Sequence, residues 1–450
     1  MNEKREQLLN DSIFKLMIKL SVPAIIGMLV IGLYSFVDAI FVGRFVGPQA
    51  LAAVSVTYPL TLINNGIAVL IGIGSASVLS RAIGSKDTKK IDDIMSNMSM
   101  CNIVLSLIVT FIGVTFTDSL LGITGLSGDI FTLAGSYLRI IFVGSLFVNF
   151  TQSANMIIRG EGKMKEAMLI MGTGAILNII LDPIFIKGFN LGINGAAYAT
   201  VLSQIIQMIM TLMYFKKHSD MVKLKKPAFK KDILPQVLSV GVSAMLMQVM
   251  TLVQQTILYR MVTIYGNDKQ LVIMGITMRV MMFAFIPIWG MSQGLQPIAG
   301  INYGAKKFDR VKRSVQAFLI GSTVLCMFFW IPMQLAPKWI LSLFTKDPML
   351  VEYGFEYFKL GNLGFLVSGI FIMSVTFFQA IGKAGNAGLI IMLRQIALFI
   401  PLALSLAKFL GGIGVWYSLP ITDILVFIIA IVLVIVESKK ILHRKGQLVK

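Results

Sequence analysis

Three carboxylates, Asp38, Asp182 and Asp423, stand inside long apolar runs of this chain. An acid in hydrocarbon is costly, and where one is kept it marks an ion path or a proton relay. Asp38 lies six residues before Arg44, and Asp182 lies five before Lys187. At 1.5 Å per residue each sits about 8–9 Å from the end of its run, at a common depth. Asn178 is one helical turn before Asp182 and shares its face. Thr200, eight residues into the following run, reaches about 12 Å. Four oxygen-bearing side chains are thus expected to converge. Such a cluster suits two couplings that spacing does not separate: buried carboxyls taking up a proton, or a hard-oxygen cage for Na⁺. Pro183 adds a fifth oxygen, because its missing N–H leaves the Ile179 carbonyl without its helical partner. A freed carbonyl in a protein-lined cavity binds water or a cation. The plainer alternative is that Asp182 caps a helix end or reaches to the interface.

The elements that must position these groups are membrane helices. Of the 450 residues, 56% are hydrophobic and 14% charged, where a soluble domain carries about a quarter charged residues. The mean hydropathy is +0.82. Apolar runs of about 20 residues exclude a β-barrel, whose strands alternate over about ten. The reading is an all-α polytopic membrane protein with twelve spans, near residues 14–44, 50–80, 94–116, 131–158, 166–187, 191–215, 232–260, 271–303, 312–332, 350–380, 386–407 and 412–437. The net charge of +19 does not mean nucleic acid, because Lys and Arg form short clusters between apolar runs instead of a basic face. Of the 40, 29 fall at the two termini and in the even-numbered loops and 7 in the odd ones. That asymmetry predicts a multi-pass protein of the inner (plasma) membrane with both termini cytoplasmic. Cys101 and Cys326 lie in apolar runs, so no disulfide framework is expected. The polar residues Met1 to Asp11 precede a retained helix, not a signal peptide.

The chain repeats itself. Leu20-Ser-Val-Pro23 overlies Leu238-Ser-Val-Gly241 at an offset of 218. Gly84-Ser-Lys-Asp87 overlies Gly304-Ala-Lys-Lys307, and Gly162-Lys163 overlies Gly382-Lys383, both at 220. Leu191-Gly-Ile-Asn-Gly195 overlies Leu410-Gly-Gly-Ile-Gly414 at 219. Four matches in order imply duplicated six-helix halves: an N-terminal lobe over 1–215, a Lys-rich linker over 216–231, and a C-terminal lobe over 232–450. Six is even, so the copies enter from the same side, a parallel repeat of the kind found in transporters. The linker's seven lysines read as a topology anchor at anionic headgroups.

Under this repeat the second half departs from the first. Asp38 maps to Gln255-Thr256, and Asn178 and Asp182 map near Leu398 and Leu402, so ion chemistry is concentrated in the first half. Asp423, opposite Gln204, stands apart, open to a structural or a functional reading. Eight of the 28 Met fall between Met245 and Met282, suited to a wall that accepts many shapes or simply to packing. Arg139, Arg279 and Arg394 are expected to be structural, bonding carbonyls between helices. Pro23 removes a backbone bond from the first helix and is a candidate bend.

At these residues the chain resembles the multidrug and toxic compound extrusion (MATE) family. The resemblance rests on Leu20-Ser-Val-Pro23, Val37-Asp-Ala-Ile-Phe-Val-Gly43, Ser80-Arg-Ala-Ile-Gly84, Arg159-Gly-Glu-Gly-Lys163 and Asn178-Ile-Ile-Leu-Asp-Pro183, and covers almost the whole chain. With no acid in the seventh span, it is more similar to the DinF-like branch and its MepA-like drug exporters than to the NorM branch. The resemblance implies export of amphipathic, often cationic compounds by alternating access of two lobes, in exchange for inward Na⁺ or H⁺. It implies an ion site at Asp38, Asn178, Asp182 and Thr200, and a bending first helix carrying Pro23 and Tyr34. Tyr137 is a further match as a substrate or gating residue. No cofactor beyond the coupling ion, no enzyme activity and no nucleic acid follow from it; the partners are the substrates and the bilayer, for a monomer. The rival within the same superfamily is a flippase for lipid-linked or oligosaccharide precursors, whose pyrophosphate only Arg139, Arg279 and Arg394 are there to hold. An integral-membrane prenyl transferase needs paired aspartate motifs on Mg²⁺, and Asp92-Asp93 in a Lys-bearing segment reads better as a solvated face. Gly160-Glu-Gly-Lys163 lacks the P-loop spacing, which disfavours an ATP-driven pump.

Overall fold

The structure is a computed structural model that describes residues 2–122 and 127–448, and among them there is no strand. After a short helix over Asn2–Asn10, the long helices are α1 (Ile13–Phe45), α2 (Pro48–Ser85), α3 (Thr88–Thr115), α4 (Gly128–Val143 and Ser145–Gly160), α5 (Met164–Gly188), α6 (Gly192–Lys217), α7 (Leu234–Tyr265), α8 (Asp268–Gly304), α9 (Phe308–Leu335), α10 (Pro348–Ala380), α11 (Ala384–Leu410) and α12 (Gly412–His443). Eleven are each long and apolar enough to cross a membrane, and the two arms of α4, bent by 53° at Gly144, make the twelfth. Every expected span is present, with most ends moved outward by up to six residues and three, at Thr115, Gly192 and Leu234, moved inward by one or two. Polar first and last turns, which hydropathy leaves out, account for the outward shift.

The turns between helices repeat as the sequence does. Lys86 and Lys306 both take left-handed backbone at φ 60 and 57, and so do Gly162 and Gly382 at φ 79 and 78. The Gly162 and Gly382 turns each close a helix and reverse the chain, a conformation glycine adopts without the Cβ clash. The break in α4 at Gly144 returns as a break in α10 at Leu363-Gly364.

By its contacts the chain divides into two compact units, Met1–Gln7 with Ile26–Met245, and Leu8–Ile25 with Leu246–Lys450. The division runs through α1 and α7, where the sequence places it at the Lys-rich loop. In the first unit α2 is the central helix. Ala76 of α2 lies so near Gly160 of α4 that a Cβ there would meet it at 3.3–3.4 Å. Polar rungs tie α2, α3 and α4 together: Asn149 donates to Asn64 Oδ1 and Ser106 Oγ at 3.3 and 3.0 Å, and Ser153 donates to the Ala68 carbonyl and Asn102 Oδ1 one turn on. In the second unit Gly369 replaces Asn149 in the repeat, and Cys326 and Ser322 fill the space its side chain would need. Both cysteines are free and buried.

The linker is held by the first unit. Lys225 and Lys230 pair with Asp92 and Asp93 at 2.9 and 3.0 Å, and Ala228 N donates to the Ser96 carbonyl. The Asp92-Asp93 pair is therefore more than a solvated face: it fastens this loop. Of the clustered methionines, Met247, Met261, Met274 and Met281 are buried core and Met282 is exposed.

Candidate ion-coupling site

Asn178 and Asp182 stand one turn apart on α5, just before Pro183 closes its α-helical part. With no proline N–H to continue the ladder, the helix widens into a π-turn over Ile184–Gly188. Helix α6 starts beyond it, and Gly195 brings it against this turn: a Cβ there would lie 2.7 Å from the Phe185 carbonyl carbon and oxygen. The close approach sets Thr200, five residues on, beside the two α5 residues. Asn178 Nδ2 donates to Asp182 Oδ1 at 3.2 Å and to Thr200 Oγ1 at 3.4 Å. Thr200 in turn donates to the Ala196 carbonyl at 3.0 Å.

Asp38 comes from α1, and its carboxyl faces that of Asp182 within interaction distance. Asp182 and Asn178 are buried and Asp38 is half-buried. Three acceptor oxygens, Asp38 Oδ1, Asp182 Oδ2 and Asn178 Oδ1, are shielded from solvent and have no hydrogen-bond partner. Two facing carboxyls whose only donor from the cluster is the Asn178 amide to Asp182 Oδ1 repel unless a proton or a cation stands between them. The four residues singled out for convergence do meet, with Thr200 held through Asn178.

Tyr137 of α4 is buried in the core cluster that also holds Val42, Ala50 and Ala53, within electrostatic reach of Asp38, Asp182 and Tyr34. Pro23 lies elsewhere: it is 15 residues before Asp38, about 22 Å along a helix, and belongs to the second unit. Helix α1 continues through it without interruption. Among the described residues no group of three or more His, Cys, Asp or Glu is placed to hold a metal ion; the donor set here is two carboxyls, an amide and a hydroxyl.

The arginines differ from expectation. Arg139 is exposed and bonds both carboxylate oxygens of Asp118 at 2.7 and 2.8 Å, and Arg394 pairs with Asp423 at 2.9 Å. These partners are carboxylates, not the interhelical carbonyls predicted, because a guanidinium in an apolar setting gains more from a charge-assisted bond. Arg279 is exposed. Asp423 is thereby accounted for as half of an ion pair.

One residue was not singled out. Glu161, in the turn between α4 and α5, is fully buried. It accepts from Tyr214 Oη at 2.7 Å, Ser219 Oγ at 2.6 Å and Val222 N at 3.0 Å. Burial pushes its carboxyl above the usual range, against these bonds, which lower it. Only the donors in the last turn of α6 and just after it reveal its role, and these lie more than 50 residues away in sequence.

The MatE family matches residues 23–184 and again 243–404, two copies at the 220-residue offset of the internal repeat. The multidrug export protein MepA of Staphylococcus aureus (strain N315) is 30% identical over 426 residues, 94% of this chain and 93% of that protein. MepA of Staphylococcus haemolyticus (strain JCSC1435) is 28% identical over 454 residues, 99% of each. The fold is that of a MATE crystal structure in the bent conformation, at a TM-score of 0.93 and 24% identity over 99% of this chain and 100% of that one. An outward-facing multidrug resistance MATE transporter of the MOP superfamily matches at a TM-score of 0.89 and 26% identity, over 97% and 98%. With the family matched in both halves and a relative aligned along nearly the whole length, the chain belongs to the MATE family, which comprises membrane transporters and not enzymes.

Proposed function

We propose that the protein exports amphipathic, often cationic compounds across the plasma membrane in exchange for an inward-moving H⁺ or Na⁺, by alternating access. The observation that carries this reading is the set of three unpartnered, solvent-shielded oxygens on Asp38, Asp182 and Asn178. Such a set binds a proton or a cation or else stays under like-charge strain, so its occupancy biases whichever conformation closes it. Thr200 orients Asn178, and Tyr137 and Tyr34 line the approach to the carboxyls. Pro23 supplies a weak point in α1 through which that helix bends. The Lys-rich loops lie on the cytoplasmic side with both termini, and the protein works as a monomer in the bilayer. The relatives named for multidrug export support the substrate class. A flippase needs several free cations for a pyrophosphate, and of the three arginines Arg139 and Arg394 are each engaged by a carboxylate, which leaves Arg279 alone.

The test is transport in reconstituted vesicles of fixed sidedness with a Na⁺ gradient or a pH gradient imposed one at a time. Wild type is expected to move a cationic dye under one gradient, and Asp38→Asn to fold but fail to exchange. Gradient-driven export by Asp38→Asn at the wild-type rate, or lipid translocation in place of dye transport, refutes the proposal.

A further inference from the structure

The second unit holds a buried acid that the coupling reading does not use. Asp423 lies eleven residues into α12, about 16 Å along it, and is 8% exposed. Its place is fixed by Gly364 at the break in α10: a Cβ on that glycine would meet Asp423 Oδ2 at 2.6 Å and Cβ at 2.8 Å. Facing it is Arg394, on a π-turn over Leu393–Ala397 that interrupts α11. Arg394 Nε donates to Asp423 Oδ1 at 2.9 Å, and its guanidinium carbon lies 4.7 Å from the centre of the Phe371 ring. The neighbouring Gln395 Nε2 donates to Thr251 Oγ1 of α7 at 3.0 Å. Among the described residues no other charged side chain faces Asp423: α10 presents Gly364 and Phe371, and α11 presents Arg394.

The equivalent seam in the first unit is neutral. Gly364 corresponds to Gly144, which faces Val201 and Gln204 Oε1. Arg394 corresponds to Gly174, whose side-chain space Gln207 occupies. The units have therefore disposed of their buried carboxyls in opposite ways. Inside its spans the first seats Asp38 and Asp182 beside no base, with three unpartnered oxygens on these two and Asn178; the second closes its buried acids with bases, Asp423 with Arg394 and Glu437 with Lys383.

We infer that Arg394 is a tethered counter-cation, taking in the second unit the part that the exchangeable ion takes in the first, so that ion exchange is confined to the first unit. The inference rests on the ion-coupled reading of Asp38 and Asp182. A guanidinium stays protonated at any physiological pH and cannot leave its backbone. While it is paired, Asp423 offers no vacant charge to H⁺ or Na⁺. Removing the guanidinium converts Asp423 into a second exchangeable site.

The experiment counts protons taken up after a pH jump, and ²²Na⁺ bound at equilibrium, by the full-length protein in nanodiscs. Arg394→Gln is expected to gain one further uptake event over wild type. The same gain is expected in an Asp38→Asn/Asp182→Asn background, and Asp423→Asn is expected to erase it. Arg394→Lys, which keeps the charge, is expected to gain nothing. The neutral pair Arg394→Gln/Asp423→Asn is expected to keep the wild-type ion number, which decides the matter if Arg394→Gln alone does not fold. A folded Arg394→Gln with no added uptake, or a neutral pair with fewer ions than wild type, overturns the inference. Undiminished uptake by Asp38→Asn/Asp182→Asn sinks the reading of the first unit instead, and that outcome is read independently of the Arg394 arm.

Discussion

Replacing Glu161 with Ala removes the acceptor for three donors at once. Val222 N keeps a second acceptor, Ser219 Oγ at 3.1 Å, so two donors, the Tyr214 and Ser219 hydroxyls, are left without this partner. Hydrogen bonds to a charged group contribute about 1.5–3 kcal/mol each. Relief of the carboxyl's own desolvation offsets part of that, leaving an expected loss of about 2–4 kcal/mol. Glu161→Gln keeps the volume and one acceptor oxygen, and is expected to cost about 1 kcal/mol. The assay uses the two buried cysteines, Cys101 in the first unit and Cys326 in the second. A thiol-reactive fluorophore applied during a thermal ramp to Cys326→Ala protein reports unfolding of the first unit alone. The sign with pH follows from the upward push on this carboxyl from its ordinary 4.5. Its contribution is fully present below that value and is lost as pH rises through the higher folded value, because the folded state then holds the proton more tightly. Wild type should thus lose stability relative to Glu161→Gln as pH rises. An unchanged Cys101 transition in Glu161→Ala, or a wild-type advantage over Gln that grows with pH, refutes this account.

Two further outcomes follow from single sites. Gly364→Ala drives a methyl into Asp423 and should destabilise the second unit by about 1–3 kcal/mol, read as an earlier Cys326 transition; Gly385→Ala, with nothing within 4 Å, should be neutral or better. Asp87 caps α3 by accepting from Lys90 N at 3.1 Å, and Asp87→Ala should cost about 0.5–2 kcal/mol, read by faster amide exchange in the first turn of α3. The Lys90 amide, with the Lys90 ammonium, holds the Asp87 carboxyl below its ordinary 3.8. The cap's contribution is therefore present above that value and lost as pH falls through the lower folded one, so the two proteins should converge in acid.

What spacing encodes is what a helix repeats along itself. The twelve spans follow from runs of apolar residues, and the duplication from matched turns such as Lys86 and Lys306. Asn178 and Asp182 share a face because they are four apart, and common depth is arithmetic from helix ends. For Asp38 spacing supplies the depth alone; which helix α1 neighbours and which way it is rotated are set by packing. Pairings between helices carry no such period. Arg394 and Asp423 are 29 residues apart, and Glu161 reaches Val222 at 61; neither interval means anything along one helix, so spacing does not reveal these partners.

The amino-acid order by itself determined the all-helical membrane architecture, its two-fold duplication and the buried polar residues at a common depth, because hydrophobic length and helical period are local properties. Tertiary packing alone decided which buried charges are satisfied and which are left open. Asp423 is closed by a guanidinium brought in on a π-turn, whereas Asp182 meets a second acid, Asp38, brought in on α1. Whether a charge in hydrocarbon is inert or responsive depends on what lies within a few ångströms of it, and that is fixed only when the helices meet.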